Sequence, residues 1–121
     1  YLRRGDPTFE TGAYHCLWIG WLGALLASAA GTFDAARQLL AAPNPRDDAL
    51  GWINAHALVG FAILLIYWQA WQIRRRDPAV LASPTARRGY LARLAIGVAL
   101  LVLDGWLGGH LVYSLRLGVL P

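Results

Sequence analysis

The sequence predicts an all-α integral membrane protein with three transmembrane helices, and three observations carry that prediction. Hydrophobic residues make up 57% of the 121 positions, where soluble domains hold roughly half even when glycine is counted. Three runs, 11–33, 49–73 and 94–115, hold no charged side chain apart from Asp104, and each exceeds the ~20 helical residues that cross a ~30 Å hydrocarbon core. The charges are gathered between and outside these runs, with arginine favouring one side.

The first run lies between Glu10 and Asp34. It is longer than the apolar part of a cleavable signal, typically 7–15 residues, and is read as a true span. The second lies between Asp48 and Arg74, the third between Arg93 and Arg116. The connections 34–48, with the turn-forming Pro43-Asn44-Pro45, and 74–93, with Pro78 and Pro84, are too small to fold alone. The whole of 1–121 is therefore expected to be a single transmembrane helical domain.

Arginine asymmetry predicts the orientation. Arg3, Arg4, Arg74, Arg75, Arg76, Arg87 and Arg88 flank one face, whereas Arg37, Arg46 and Arg116 on the other stand beside Asp34, Asp47 and Asp48. The arginine-rich face is expected in the cytoplasm. The chain is then a multi-pass protein of a bacterial inner membrane, with the 74–93 connection cytoplasmic and the 34–48 connection and C-terminus periplasmic. Trp18, Trp21, Trp68, Trp71 and Tyr90 are expected at the inner interface, and Trp52, Trp106 and Tyr113 at the outer one, where amphipathic rings anchor at headgroup depth. Since topology explains the basic excess, nucleic acid is discarded as a partner. The lone Cys16 makes no internal disulfide and belongs to no zinc pattern.

Polar groups inside a membrane are costly, so function is sought at the three histidines and Asp104. His56 follows Gly51 by five residues and His110 precedes Arg116 by six, which sets both roughly 8–9 Å below the outer boundary. Two neutral imidazoles at one depth on antiparallel helices offer the axial pair of a b-type haem, with leucine, valine and phenylalanine around the macrocycle. The plainer alternative is a hydrogen bond from each histidine to a neighbouring helix. His15 is nearer the inner face, too far to share a ligand plane. Asp104 and His110, six residues apart, point to different faces, so Asp104 is read as paired with a neighbouring helix or as a proton relay. Gly20, Gly23, Ala27, Ala30 and Gly31 in the first run, and Gly105, Gly108 and Gly109 in the third, are expected to let helix backbones approach.

The stretch Gly105-Trp106-Leu107-Gly108-Gly109-His110-Leu111-Val112-Tyr113, with Gly118-Val119, resembles the C-terminal signature of the bacterial predicted membrane protein family named domain of unknown function 2231. Arg3-Arg4-Gly5-Asp6-Pro7, Ala30-Gly31 with Asp34, and Ala55-His56-Ala57-Leu58 resemble its inner motifs, so the likeness covers nearly the whole chain. The resemblance implies a four-helix bundle whose first helix is lacking here, and a haem-binding module found beside or fused to cytochrome c and dehydrogenase domains. The family commonly has glutamate where this chain has His110, so the motif hands no ligand role to His110 and favours His56.

The expected function is a membrane subunit that binds b-type haem near the outer face through His56 and His110 and mediates electron transfer. Its expected partners are lipid, other membrane subunits and a periplasmic cytochrome c. The competing class is a non-catalytic structural or pigment-associated subunit of a larger energy-transducing or photosynthetic complex, its histidines at most touching a chlorophyll-type pigment. No nucleophile–base pair, phosphate loop or paired carboxylate indicates catalysis. A transporter or proton channel would have only Asp104, Ser28, Asn54 and Gln69 to line its path.

Overall fold

A computed structural model describes residues 7–41 and 47–117. It consists of three helices, α1 (Pro7–Ala41), α2 (Asp47–Arg76) and α3 (Pro84–Gly109), the last continued by a π-helical turn, His110–Ser114. Each is long and apolar enough to cross a membrane. Among the described residues α1 and α3 both pack on α2 and not on each other. Many large apolar side chains face outward, with Leu58 70% and Val102 72% exposed, as a lipid solvent favours. Arg3 and Arg4, the Pro43-Asn44-Pro45 turn, Arg46 and Gly118-Val119 lie outside the described residues, as do the side chains of Asp47 and Asp48.

The helices outrun the charge-free segments, and the connections shrink accordingly. α1 passes Asp34 and Arg37 to reach Ala41; at about 1.5 Å per residue its 35 residues span ~52 Å, well beyond a bilayer core. Charge ends a membrane segment but does not end a helix, and Gln38 Nε2 donates to Asp34 Oδ2 at 2.8 Å one turn back. The expected connection 74–93 is mostly helix. α2 continues to Arg76, and α3 starts at Pro84 with Ser83 as its N-cap, Ser83 Oγ accepting from the Ala86 N–H. Proline at the first helical position after a serine is a strong start signal. Only 77–83 remain as a turn, in which Asp77 Oδ1 accepts from the Ala79 N–H at 3.0 Å.

This short turn fixes the antiparallel register of α2 and α3, and the seam is built from layers that set a glycine against a larger group. A Cβ on Gly97 would lie 2.6 Å from Tyr67 Cζ. One on Gly60 would lie 3.9 Å from Asp104 Oδ2, and one on Gly108 would lie 3.4 Å from His56 Cε1. The layers step by seven residues and then four, in opposite directions along the two helices. Without a hydrophobic drive between helices in lipid, such close approach is what van der Waals packing needs.

The glycines of α1 do not serve this purpose. A Cβ on Gly20, Gly23 or Gly31 would meet nothing within 4 Å, and the same holds for Gly105 of α3. The expected small-residue contact is thus corrected: α1 meets α2 through its large side chains. Trp21 Nε1 donates to the Leu64 carbonyl at 2.9 Å, Trp71 Nε1 donates to Tyr14 Oη at 3.2 Å, and the Trp21 and Trp71 rings stack at 6.0 Å. Large rings gain more contact area than glycine, and their N–H groups need acceptors when desolvated. Tyr90 is also corrected, from interfacial anchor to core. It is buried with Ala70 and Val80, the last folding in from the turn, with Leu17 and Leu94 packed around them.

Candidate functional site

The polar groups gather at two ends of α2. At one end His56 Nδ1 lies 2.8 Å from Asp104 Oδ1 of α3. Both atoms are buried, and neither has another partner among the described residues. The distance is that of a hydrogen bond, but the angle between ring and carboxylate is not that of a linear one. We therefore read a close polar pair, each member the other's sole compensation for leaving water. A carboxylate beside Nδ1 favours the tautomer with its proton there, leaving the Nε2 lone pair available. Nε2 has no partner among the described residues, and 40% of the side chain is exposed. Gly108 leaves the ring edge room against the α3 backbone.

His110 sits elsewhere. Its ring packs 4.4 Å from Trp52 and 6.0 Å from Trp106, nearly parallel to the latter, while the two indoles meet edge to face at 6.0 Å. His110 is thus level with Trp52, one turn of α2 away from His56, and the two imidazoles are not in contact. The packing of α2 and α3 does not assemble that pair. It assembles His56 with Asp104, so Asp104 takes the neighbouring-helix pairing rather than facing His110. The π-helical turn begins at His110, where Leu115 N–H donates to the His110 carbonyl at 3.2 Å, and Arg116, two residues beyond its end at Ser114, has φ 55°. Such π turns often mark functional sites.

His15 is exposed and local. Its Nδ1 donates to the Thr11 carbonyl at 2.8 Å, one turn back, and its ring meets Tyr14 and Trp18. No group of three or more histidine, cysteine, aspartate or glutamate side chains is arranged to hold a metal ion among the described residues.

At the other end of α2, Arg74 is fully engaged. It pairs with Glu10 of α1, donates to the Pro78 carbonyl and lies 5.9 Å over the Tyr14 ring. The pair is largely enclosed, with side chains 14% and 16% exposed, and it ties α1 to the α2–α3 turn. Neither this cluster nor the His56–Asp104 pair is visible as a spacing in the sequence. The signal for the second was the turn: counting outward from 77–83 along both helices sets His56 opposite Asp104 and Gly108, whereas counting inward from the far charges pairs it with His110.

All 121 residues match the model of the family described as Predicted membrane protein (DUF2231). No curated protein and no solved structure matches the chain.

Proposed function

We propose, starting from a chain that belongs to the DUF2231 family of predicted membrane proteins, that it is a redox subunit in which His56 would ligate the iron of a b-type haem. The observation that supports this reading is the carboxylate behind His56: Asp104 at 2.8 Å from Nδ1, with Nε2 left free. Histidines that bind metal ordinarily give their other nitrogen to such a partner, which fixes the tautomer and raises the basicity of the ligating nitrogen. His56 would hold the iron without the expected partner His110, whose ring packs against the Trp52 and Trp106 indoles. A haem held there supplies one-electron chemistry. The chain's own part is to orient the imidazole through Asp104 and to exclude water with the apolar faces of α2 and α3. In this reading the arginine end is cytoplasmic, the His56 end lies toward the periplasm of a bacterial inner membrane, and electrons pass between a periplasmic cytochrome c and a membrane partner.

The test is a reduced-minus-oxidised spectrum on the purified protein. A b-type signal stoichiometric with the chain is expected, lost in His56→Ala and kept in His15→Ala. Asp104→Asn is expected to lower haem retention by about 10–100-fold. Retention of the signal without His56 overturns the ligand assignment. His110→Ala decides the source of the second ligand: loss puts it in this chain, and survival puts it in a partner.

The open glycine face of α1 favours a second reading, a structural or pigment-associated subunit of a larger energy-transducing or photosynthetic complex. Small residues with nothing against them are the surface by which membrane helices pack closely on others. A wild-type protein that carries no haem but extracts with pigment or further subunits is the result this reading expects.

A further inference from the structure

The arginine end of the molecule holds more positive charge than its own contacts use. Residues 74–93 contain six arginines and one acid, Asp77. With Glu10 added they account for the chain's whole formal excess of +4, since the five remaining arginines are matched by five aspartates. Arg74 is spent on Glu10, the Pro78 carbonyl and the Tyr14 ring. Arg93 Nη1 donates to the Gly89 carbonyl at 2.8 Å. Asp77 directs Oδ1 to the Ala79 N–H. That leaves Arg75 and Arg76 in the last turn of α2, and Arg87 and Arg88 near the start of α3, outside the two ion pairs found among the described residues. Arg75 lies 5.7 Å over the Trp71 ring.

The short turn between Arg76 and Pro84 keeps the backbones of these four residues within about a helical turn of one depth, where the spanning segments meet the headgroup region. Below them large apolar side chains are open, with Trp68 42% and Ile96 51% exposed, alongside the exposed Gln69. A ligand that fits carries an anionic phosphate for the guanidinium forks and hydrocarbon for the surface beneath. We infer that Arg75, Arg76, Arg87 and Arg88 form a binding site for the headgroup of an anionic phospholipid at the α2–α3 turn. Phosphatidylcholine offers the same phosphate masked by a choline cation and is the natural comparison. The site is independent of His56 and of any cofactor.

Native mass spectrometry of the protein in neutral micelles, titrated with phosphatidylglycerol or phosphatidylcholine, tests this without involving insertion direction. With each arginine near a membrane surface worth a few-fold in affinity, phosphatidylglycerol is expected to be retained roughly tenfold or more over phosphatidylcholine. The R75Q/R76Q/R87Q/R88Q variant is expected to bind the two lipids alike, and R37Q/R116Q to keep the preference. Equal retention by the wild type, or a preference that survives the fourfold substitution, overturns the inference. Displacement of phosphatidylglycerol by roughly 10 mM inorganic phosphate also overturns it, by making the site one for free anions. Where the fourfold variant loses helicity, the wild type alone decides: a preference that fades with added salt supports the site, and one indifferent to salt refutes it.

Discussion

Gly97→Ala probes the seam on which the His56–Asp104 pair depends. The new Cβ would lie 2.6, 2.9 and 3.0 Å from three atoms of the Tyr67 ring, where ordinary carbon contacts are about 3.5–4.0 Å. Turning the ring about its own axis cannot clear three atoms at once, so the ring must leave its rotamer or α3 must retreat by about 1 Å. Either response costs roughly 1–3 kcal/mol. Gly105, eight residues along α3, is the control, for a Cβ there meets nothing within 4 Å. Gly105→Ala is expected to lie within about 0.5 kcal/mol of the parent, or to stabilise it slightly by relieving glycine's helix penalty. Reversible unfolding in bicelles by added dodecyl sulfate, followed by circular dichroism, measures both. Truncating Tyr67 to alanine in the Gly97→Ala background is expected to recover about 1 kcal/mol relative to additivity. Equal effects of the two glycine substitutions would refute the close-packed seam.

Two further outcomes follow from the ends of α2. Arg74→Gln strands the largely enclosed Glu10 carboxylate and the Pro78 carbonyl and is expected to destabilise by about 1–3 kcal/mol in the same assay, while Arg75→Gln, losing only its place over Trp71, costs about 0.5 kcal/mol; equal losses would remove the special role of Arg74. In a Cys16→Ala background in intact cells, Arg37→Cys is expected to react with an impermeant thiol reagent and Ala82→Cys to stay protected, and reversed labelling would invert the proposed orientation.

The three helices were legible because lipid demands long uncharged runs. Their true ends were not, because Asp34, Arg87 and Arg88 are comfortable in a helix once it has left the hydrocarbon. That error hid the site. A long loop over 74–93 would leave the register of the second helix untied to that of the third, with only the charges at the far ends to set depth. Once Ser83 and Pro84 are taken as the helix start, the register becomes countable. The role of each glycine is hidden for a different reason: in lipid a face that packs and a face that waits for a partner have the same composition. Gly97 and Gly105 look alike in sequence, and only the geometry separates them.

The two polar clusters are joined by α2 alone, and what lies between them bears on the class of function. His56 and Arg74 are eighteen residues apart, about 27 Å along the helix and close to the thickness of the hydrocarbon core. Between them the seam with α3 is made of Gly60, Ile63, Ala70, Gly97 and the Tyr67 ring. Asn54 and Gln69, the remaining polar side chains of α2 considered for a path, are both exposed rather than turned into that seam, and Ser28 belongs to α1, its carbonyl accepting from Thr32 of the same helix. A transported ion or proton needs polar partners at every step across the membrane, and among the described residues these side chains do not form a continuous set. An electron needs none, only a redox centre held dry and near its partner. The one-electron reading proposed above asks of this chain only a carboxylate-backed imidazole beside the seam of α2 and α3.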